Sequence, residues 1–120
     1  EADLKGDEII YDLYCGTGTI GIYLSDKAKK IFGFEIIPSA INDAIINASN
    51  NKVKNALFFK GDIKNVLINN KEIEIIEKPD ISIIDPPRAG IHPKALKNIL
   101  KLNQKKIIYI SCKRYKKNSW

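Results

Sequence analysis

Five short runs of branched apolar residues alternate with segments whose apolar positions recur at helical spacing, and this alternation narrows the fold more than any other feature. Residues 8–14, 30–35, 56–60, 80–85 and 106–111 read as strands, and residues 19–28, 39–51, 62–70 and 93–102 as the helices between them. The strands are continuous Ile-rich runs rather than apolar-polar alternations, the pattern expected of strands covered on both faces. Strand and helix in strict turn give βαβ units, so the expected class is α/β, a doubly wound and mostly parallel sheet. Pro38 followed by Ser39 marks a helix start, and Lys27, Lys29 and Lys30 suit the negative end of the first helix. No internal repeat beyond this rhythm and no linker divides the chain, so residues 1–120 are expected to form one domain.

Composition excludes some classes. With 44% hydrophobic and 28% charged residues the chain reads as globular, and no apolar stretch approaches the ~18 residues of a membrane span. No signal peptide is visible; Cys15 and Cys112 lie far apart and without metal-ligand spacing, so a reducing cytoplasm is expected, with no metal and no membrane partner. The net charge is +6, and Lys113, Arg114, Lys116 and Lys117 supply four of those charges, which leaves residues 1 to 112 only mildly basic. Scattered lysines of this kind ordinarily mark a solvated surface, so charge alone argues little for a nucleic-acid partner. The start at Glu1-Ala2-Asp3, without methionine, suggests a fragment of a longer protein.

The segment Gly16-Thr17-Gly18-Thr19-Ile20-Gly21 follows the first strand and opens a helix, and Glu35 stands nineteen positions after Gly16 at the end of the second strand. This is the arrangement of a nucleotide-cofactor loop, with a carboxylate to accept from ribose hydroxyls. Two cofactor chemistries share it, and Asp12 separates them. A dinucleotide brings a pyrophosphate to this turn, which a carboxylate repels; S-adenosylmethionine brings an ammonium and a sulfonium, which a carboxylate attracts. Tyr14, Gly16, Thr17 and Gly18 form the turn on which such a cofactor would rest, and Asp62 sits where a further carboxylate could take the adenine amino group or cap the next helix.

Asp85-Pro86-Pro87-Arg88-Ala89-Gly90 closes the fourth apolar run, and the fifth ends at Ser111-Cys112. Two prolines after an acid make a stiff, non-helical elbow that holds the carboxylate at the carboxyl edge of the sheet, where open α/β sheets bind ligands.

Taken together, residues 12–21, Gly33-Phe34-Glu35-Ile36-Ile37-Pro38, Asp43-Ala44, Asn47-Ala48, Gly61-Asp62, Asp85-Pro86-Pro87-Arg88-Ala89-Gly90 and Tyr109-Ile110-Ser111-Cys112 resemble the RNA 5-methyluridine methyltransferases over about residues 3–112. The resemblance implies a Rossmann-like S-adenosylmethionine-dependent methyltransferase fold, with Cys112 as nucleophile, Asp85 orienting the uracil edge and lining the cofactor, and Arg88 on the phosphate or base. The chemistry is coherent: uracil C5 is a poor nucleophile until a thiolate adds at C6. It also implies an RNA partner, tRNA or ribosomal, engaged through a longer protein. In the family the cysteine is followed by Asn-Pro, further strands and the carboxylate that acts as base, whereas here it runs into Lys113-Arg114-Tyr115. A core without its last strands is therefore expected, with the cofactor pocket kept, turnover poor and the fifth strand left as an exposed edge. Amino-methyltransferases follow their Asp-Pro-Pro with an aromatic residue and 5-methylcytosine enzymes place a cysteine there, and Arg88 is neither. A NAD-dependent oxidoreductase and an inactive cofactor-binding remnant are the remaining alternatives.

Overall fold

A computed structural model describes residues 4–66 and 76–110. Ser111 and Cys112, at the end of the fifth expected strand, lie outside the described residues, as does the second half of the expected helix 62–70. In chain order the elements are β1 (Ile9–Leu13), α1 (Thr19–Leu24), a 3-10 turn (Ser25–Lys27), β2 (Lys30–Glu35), α2 (Pro38–Asn50), β3 (Ala56–Lys60), α3 (Ile63–Val66), β4 (Ile81–Ile84), α4 (Pro93–Leu100) and β5 (Lys106–Tyr109). The five strands form one parallel sheet in the order β3-β2-β1-β4-β5. The order reverses between β1 and β4, so the strands that flank this switch point deliver Leu13 and Ile84, paired with each other, to the same carboxyl edge.

Alternate residues of the central strands feed two cores. Tyr11, Leu13, Phe32 and Phe34 point to the face covered by α3 and α4, where Ile63, Ala95 and Ile99 meet them. Ile10, Ile31, Ile81 and Ile83 point to the opposite face with Ala28, flanked by Ile20 and Leu24 of α1. Aromatic edges and faces lock the first core: Tyr11 lies 5.0 Å from Phe34 and Phe34 stacks on Phe59 at 5.5 Å, while the Tyr11 hydroxyl donates to the Glu77 carbonyl.

Three details depart from the sequence reading. The first helix leaves α geometry at Leu24, because the Ser25 hydroxyl donates to the Ile22 carbonyl and tightens the last turn. Its terminal carbonyls are then taken by the Asn55 amide, which donates to Ser25, Ala28 and Lys29, rather than by the nearby lysines. Lys30 instead pairs with Glu77 at 2.9 Å, and Lys27 sits over the Tyr23 ring. Full coverage of both faces holds for β1, β2 and β4 but not for the edge strands, where Leu57 of β3 and Ile107 and Tyr109 of β5 are exposed. Among the described residues no helix is long and apolar enough to cross a membrane.

Candidate functional site

The turn after β1 is held by backbone geometry that few side chains tolerate. Tyr14 takes a left-handed φ of 62°, unusual for a bulky residue and a local strain of the kind that collects at binding loops. Cys15 then returns to the sheet by donating its amide to the Phe34 carbonyl, and Gly18 at φ 82° turns the chain into α1. A Cβ on Gly18 would meet Ala44 and Phe58 within 3.3 Å, and one on Gly21 would reach Ile31 at 2.9 Å and the Asp12 carboxylate at 3.2 Å. Glycine at these two positions lets α1 and α2 close on the strand ends.

Glu35 clips this loop to β2. Its Oε1 accepts from the Gly16 amide at 2.9 Å, and its Oε2 accepts from the Ile36 and Ile37 amides at 3.1 Å each. A carboxylate has about four acceptor sites, so with three filled by backbone one remains for a ligand hydroxyl. From the other side the Asn47 amide of α2 donates to the Thr17 carbonyl, a staple for the glycine loop that its Asn-Ala motif did not disclose.

A cleft of about 440 Å³ opens where these elements end. Its walls are Tyr14, Glu35, Ile36, Ile37 and Asp62 on the β1–β3 side, and Asp85, Pro87, Gly90, His92 and Ala95 on the side of β4 and α4. The structure thus unites Tyr14, Glu35, Asp62 and Asp85 from four different strand ends. Gly16 is tied to it through Glu35, whereas Thr17 and Gly18 do not line it. Arg88 is exposed on the elbow and does not line the cleft. The elbow itself is closed by the Gly90 amide donating to Pro87, and Pro86 is buried beneath it. A wider hollow of about 630 Å³ between α1 and α2 contains none of the residues expected to form the site.

Asp12 has an unusual position. It is 1% exposed on the α1 face of β1, and neither carboxylate oxygen has a hydrogen-bond partner among the described residues. The Gly21 amide favours its charged form without reaching hydrogen-bond geometry, and Asp85 and Glu35 add negative potential. Burial, first, and these two acids push its carboxyl up to about 7. Asp12 therefore lies beneath the cleft rather than in its wall. Burial, again with Asp12 and Glu35, raises the Cys15 thiol far above the ordinary range, which makes this cysteine inert. Burial and Asp62 raise the Tyr14 hydroxyl as well.

Several wall residues were given no role by the sequence reading. Ile36 and Ile37 follow Glu35 and stay exposed by 54% and 53%, an apolar lip at the mouth of a cleft. His92 is the only histidine in the chain. Its Nδ1 accepts from the Lys94 amide at 3.0 Å, which caps α4 and leaves Nε2 as the ring's donor. Its signal was present: a polar residue before a proline that opens a helix. Nearby, Ile110 donates its amide to the Ile84 carbonyl, so the described chain ends level with Asp85.

As a ligand site the cleft is rich in acceptors and poor in donors. Three carboxylates line it and a fourth lies below, an arrangement that fits a hydroxyl-bearing, cationic ligand with an apolar ring and disfavours a pyrophosphate.

Known proteins bear on this geometry. The family model of a methyltransferase domain matches residues 4–118. A protein of Chlorobaculum tepidum named an uncharacterized RNA methyltransferase is 47% identical over 106 residues, covering 88% of this chain and 22% of that protein. One of Staphylococcus epidermidis with the same name is 47% identical over 111 residues, covering 92% of this chain and 24% of that protein. Among solved structures, the tRNA (uracil-54, C5)-methyltransferase of Pyrococcus abyssi, in complex with S-adenosyl-L-homocysteine, superposes with a TM-score of 0.73 and 34% identity over 91% of this chain and 25% of that one. The chain spans about a quarter of the length of these relatives.

Proposed function

The chain belongs to the methyltransferase-domain family, and on that premise we propose that it is the cofactor-binding core of an RNA methyltransferase that acts at C5 of uridine. The convergence of Glu35, Asp62 and Asp85 on one cleft above the buried Asp12 carries this reading. S-adenosylmethionine would supply the methyl group when bound. Glu35 has one acceptor site left for a ribose hydroxyl, Asp62 faces the adenine end, and the exposed Ile36-Ile37 lip offers an apolar surface to the ring. Asp12 acts from below through the field of its carboxylate.

The uridine assignment rests on the Asp85-Pro86-Pro87-Arg88 elbow, on the Ser111-Cys112 segment, and on the likeness to a protein titled a uracil C5 methyltransferase. The Cys112 thiolate adds to C6 of the ring and forms a C6–S bond, which places the electron pair on C5. C5 would take the methyl group as the methyl carbon's bond to the cofactor sulfur broke and left its electron pair on sulfur, with S-adenosylhomocysteine as the leaving group; a base then removes the C5 proton, and the C6–S bond breaks to restore the double bond and the thiolate. Asp85 orients the uracil edge and Arg88 holds a phosphate or the base. Ile110, just past β5, donates its amide to the Ile84 carbonyl, which brings the last described residue level with the elbow. The base is not among these residues.

Calorimetric titration tests the cofactor. S-adenosylhomocysteine should bind and NAD should not, and tight NAD binding without the other would reverse the assignment. For the uridine, RNA containing 5-fluorouracil should be trapped covalently by a longer relative carrying this core, since fluorine blocks the final proton loss. Loss of the adduct on changing the residue that matches Cys112 to serine is the expected result; an adduct through the residue that matches Cys15 would refute it.

A further inference from the structure

Charge in this chain is divided more sharply than its total suggests. All fourteen acids stand at or before Asp85, and residues 86–110 contain Arg88, Lys94, Lys97, Lys101, Lys105 and Lys106 with no acid among them. Three of these cations share one side of α4: Lys94, Lys97 and Lys101 stand at i, i+3 and i+7, and all three are exposed. The arrangement works against the helix. Like charges at this spacing repel, no acid among the described residues forms a salt bridge with them, and Lys94 sits in the first turn, where the helix dipole disfavours a cation. At the head of the row His92 lines the cleft and Arg88 is exposed on the elbow before it.

We propose that this row is a docking track for the phosphate backbone of single-stranded RNA, which leads a strand along α4 to the cleft. The inference rests on the RNA substrate proposed above. Charge complementarity names the occupant: a polyanion removes the repulsion that the row imposes on the helix, and the opposite, carboxylate-lined wall excludes phosphate from the cofactor side. Lys94 to Lys101 covers about 10 Å of helix, room for more than one phosphate. His92, whose Nδ1 is committed to the Lys94 amide, presents its remaining ring N–H where the track enters the cleft. Such a surface reads backbone and not sequence, so it would guide RNA without selecting the uridine.

The test compares two charge-equal variants of the 120-residue chain by fluorescence anisotropy on a short oligouridine over a range of salt. One carries Lys94→Gln, Lys97→Gln and Lys101→Gln. The other carries Lys29→Gln, Lys54→Gln and Lys78→Gln, three exposed positions beside the amino ends of the strands. Lys113, Arg114, Lys116 and Lys117 stay in both. Each phosphate contact on a single strand contributes about 0.7 to the salt slope, so the α4 variant should lose about 2 from its slope and at least about tenfold in affinity, while the control stays within about twofold. Binding of S-adenosylhomocysteine should be equal in both, which shows that the fold is kept. Equal loss in the two variants, or no RNA binding by the unaltered chain, overturns the track; the RNA reading is decided separately by the 5-fluorouracil trap in a longer relative.

Discussion

The two walls of the cleft are built by opposite means. On the β1–β3 side the chemistry is buried and held by backbone: Asp12 is sealed under Gly21 without a hydrogen-bond partner among the described residues, Glu35 spends three acceptor sites on backbone amides, and Asn47 pins Thr17. On the side of β4 and α4 the wall carries Asp85 and His92, and beyond it the surface is exposed and cationic, with Arg88 and Lys94 open to solvent and β5 at the edge. A small ligand that must be held in one pose is matched by the first kind of wall, and a long polyanion that must slide and dock by the second. The energetics should differ accordingly, with large effects on stability and cofactor binding on one side and small, salt-dependent effects on the other.

The largest effect should come from Asp12. Its carboxyl is raised from 3.8 to about 7 in the fold, so between these values the native chain holds a proton that the unfolded chain has lost. Stability from this group should therefore fall as pH rises through that window, by up to about 4 kcal/mol for three units, and stay low above pH 7. Chemical denaturation from pH 5 to pH 8 should show the decline, and Asp12→Asn should flatten it. A profile with the same slope in both would sever the buried carboxyl from the behaviour of this wall. In the same variant, cofactor affinity should drop by about 1 to 3 kcal/mol near pH 8, where the native carboxylate is charged.

Next in size is Glu35→Gln. The amide keeps one acceptor oxygen and turns the other end into a donor facing backbone N–H groups, so the clip is lost at either Gly16 or the Ile36-Ile37 pair. A cost of about 1 to 3 kcal/mol in stability is expected, with faster exchange of the Gly16 amide. Unchanged exchange at Gly16 would mean that the loop stands without its clip.

On the opposite wall the effects should be smaller and separable. His92→Ala removes the cap of α4 at a cost of about 1 kcal/mol, whereas His92→Asn keeps a capping acceptor and should be near neutral. Both should weaken RNA binding alike, because both lose the ring donor. If Asn restores RNA affinity as well as stability, the histidine is a cap and nothing more. Smallest of all, Lys94→Gln should leave stability within about 0.5 kcal/mol, tending to stabilise, since it removes a cation from the positive end of a helix.

Much of this was legible in the residues and some was not, for physical reasons. The strand positions at 30–35 and 56–60 coincide with the structure because polar residues bound each apolar run, Lys30 and Glu35 the first and Asn55 and Lys60 the second, and leave little freedom at their ends. The carboxylates after β2, β3 and β4 were legible because an acid at the end of a buried strand is rare without a task. The roles within the site were harder. Sequence places Asp12 near the loop but cannot show that β1 alternation turns it onto the α1 face and away from the cleft. Glu35 as a clip depends on three amides brought together by a turn, and His92 as a wall depends on how α4 crosses the sheet. The edges misled for a different reason: β3 and β5 carry the composition of covered strands, yet Leu57, Ile107 and Tyr109 meet solvent in the described chain.

The central claim, that carboxylates at the strand ends receive a phosphate-free, cationic nucleoside, is tested most directly by a crystal structure of the chain with S-adenosylhomocysteine. The account predicts the ribose on Glu35, the adenine between the Ile36-Ile37 lip and Asp62, and the sulfur toward Asp85. A nucleoside seated instead in the hollow between α1 and α2, with Glu35 still closed on its three amides and no ligand contact, would contradict it.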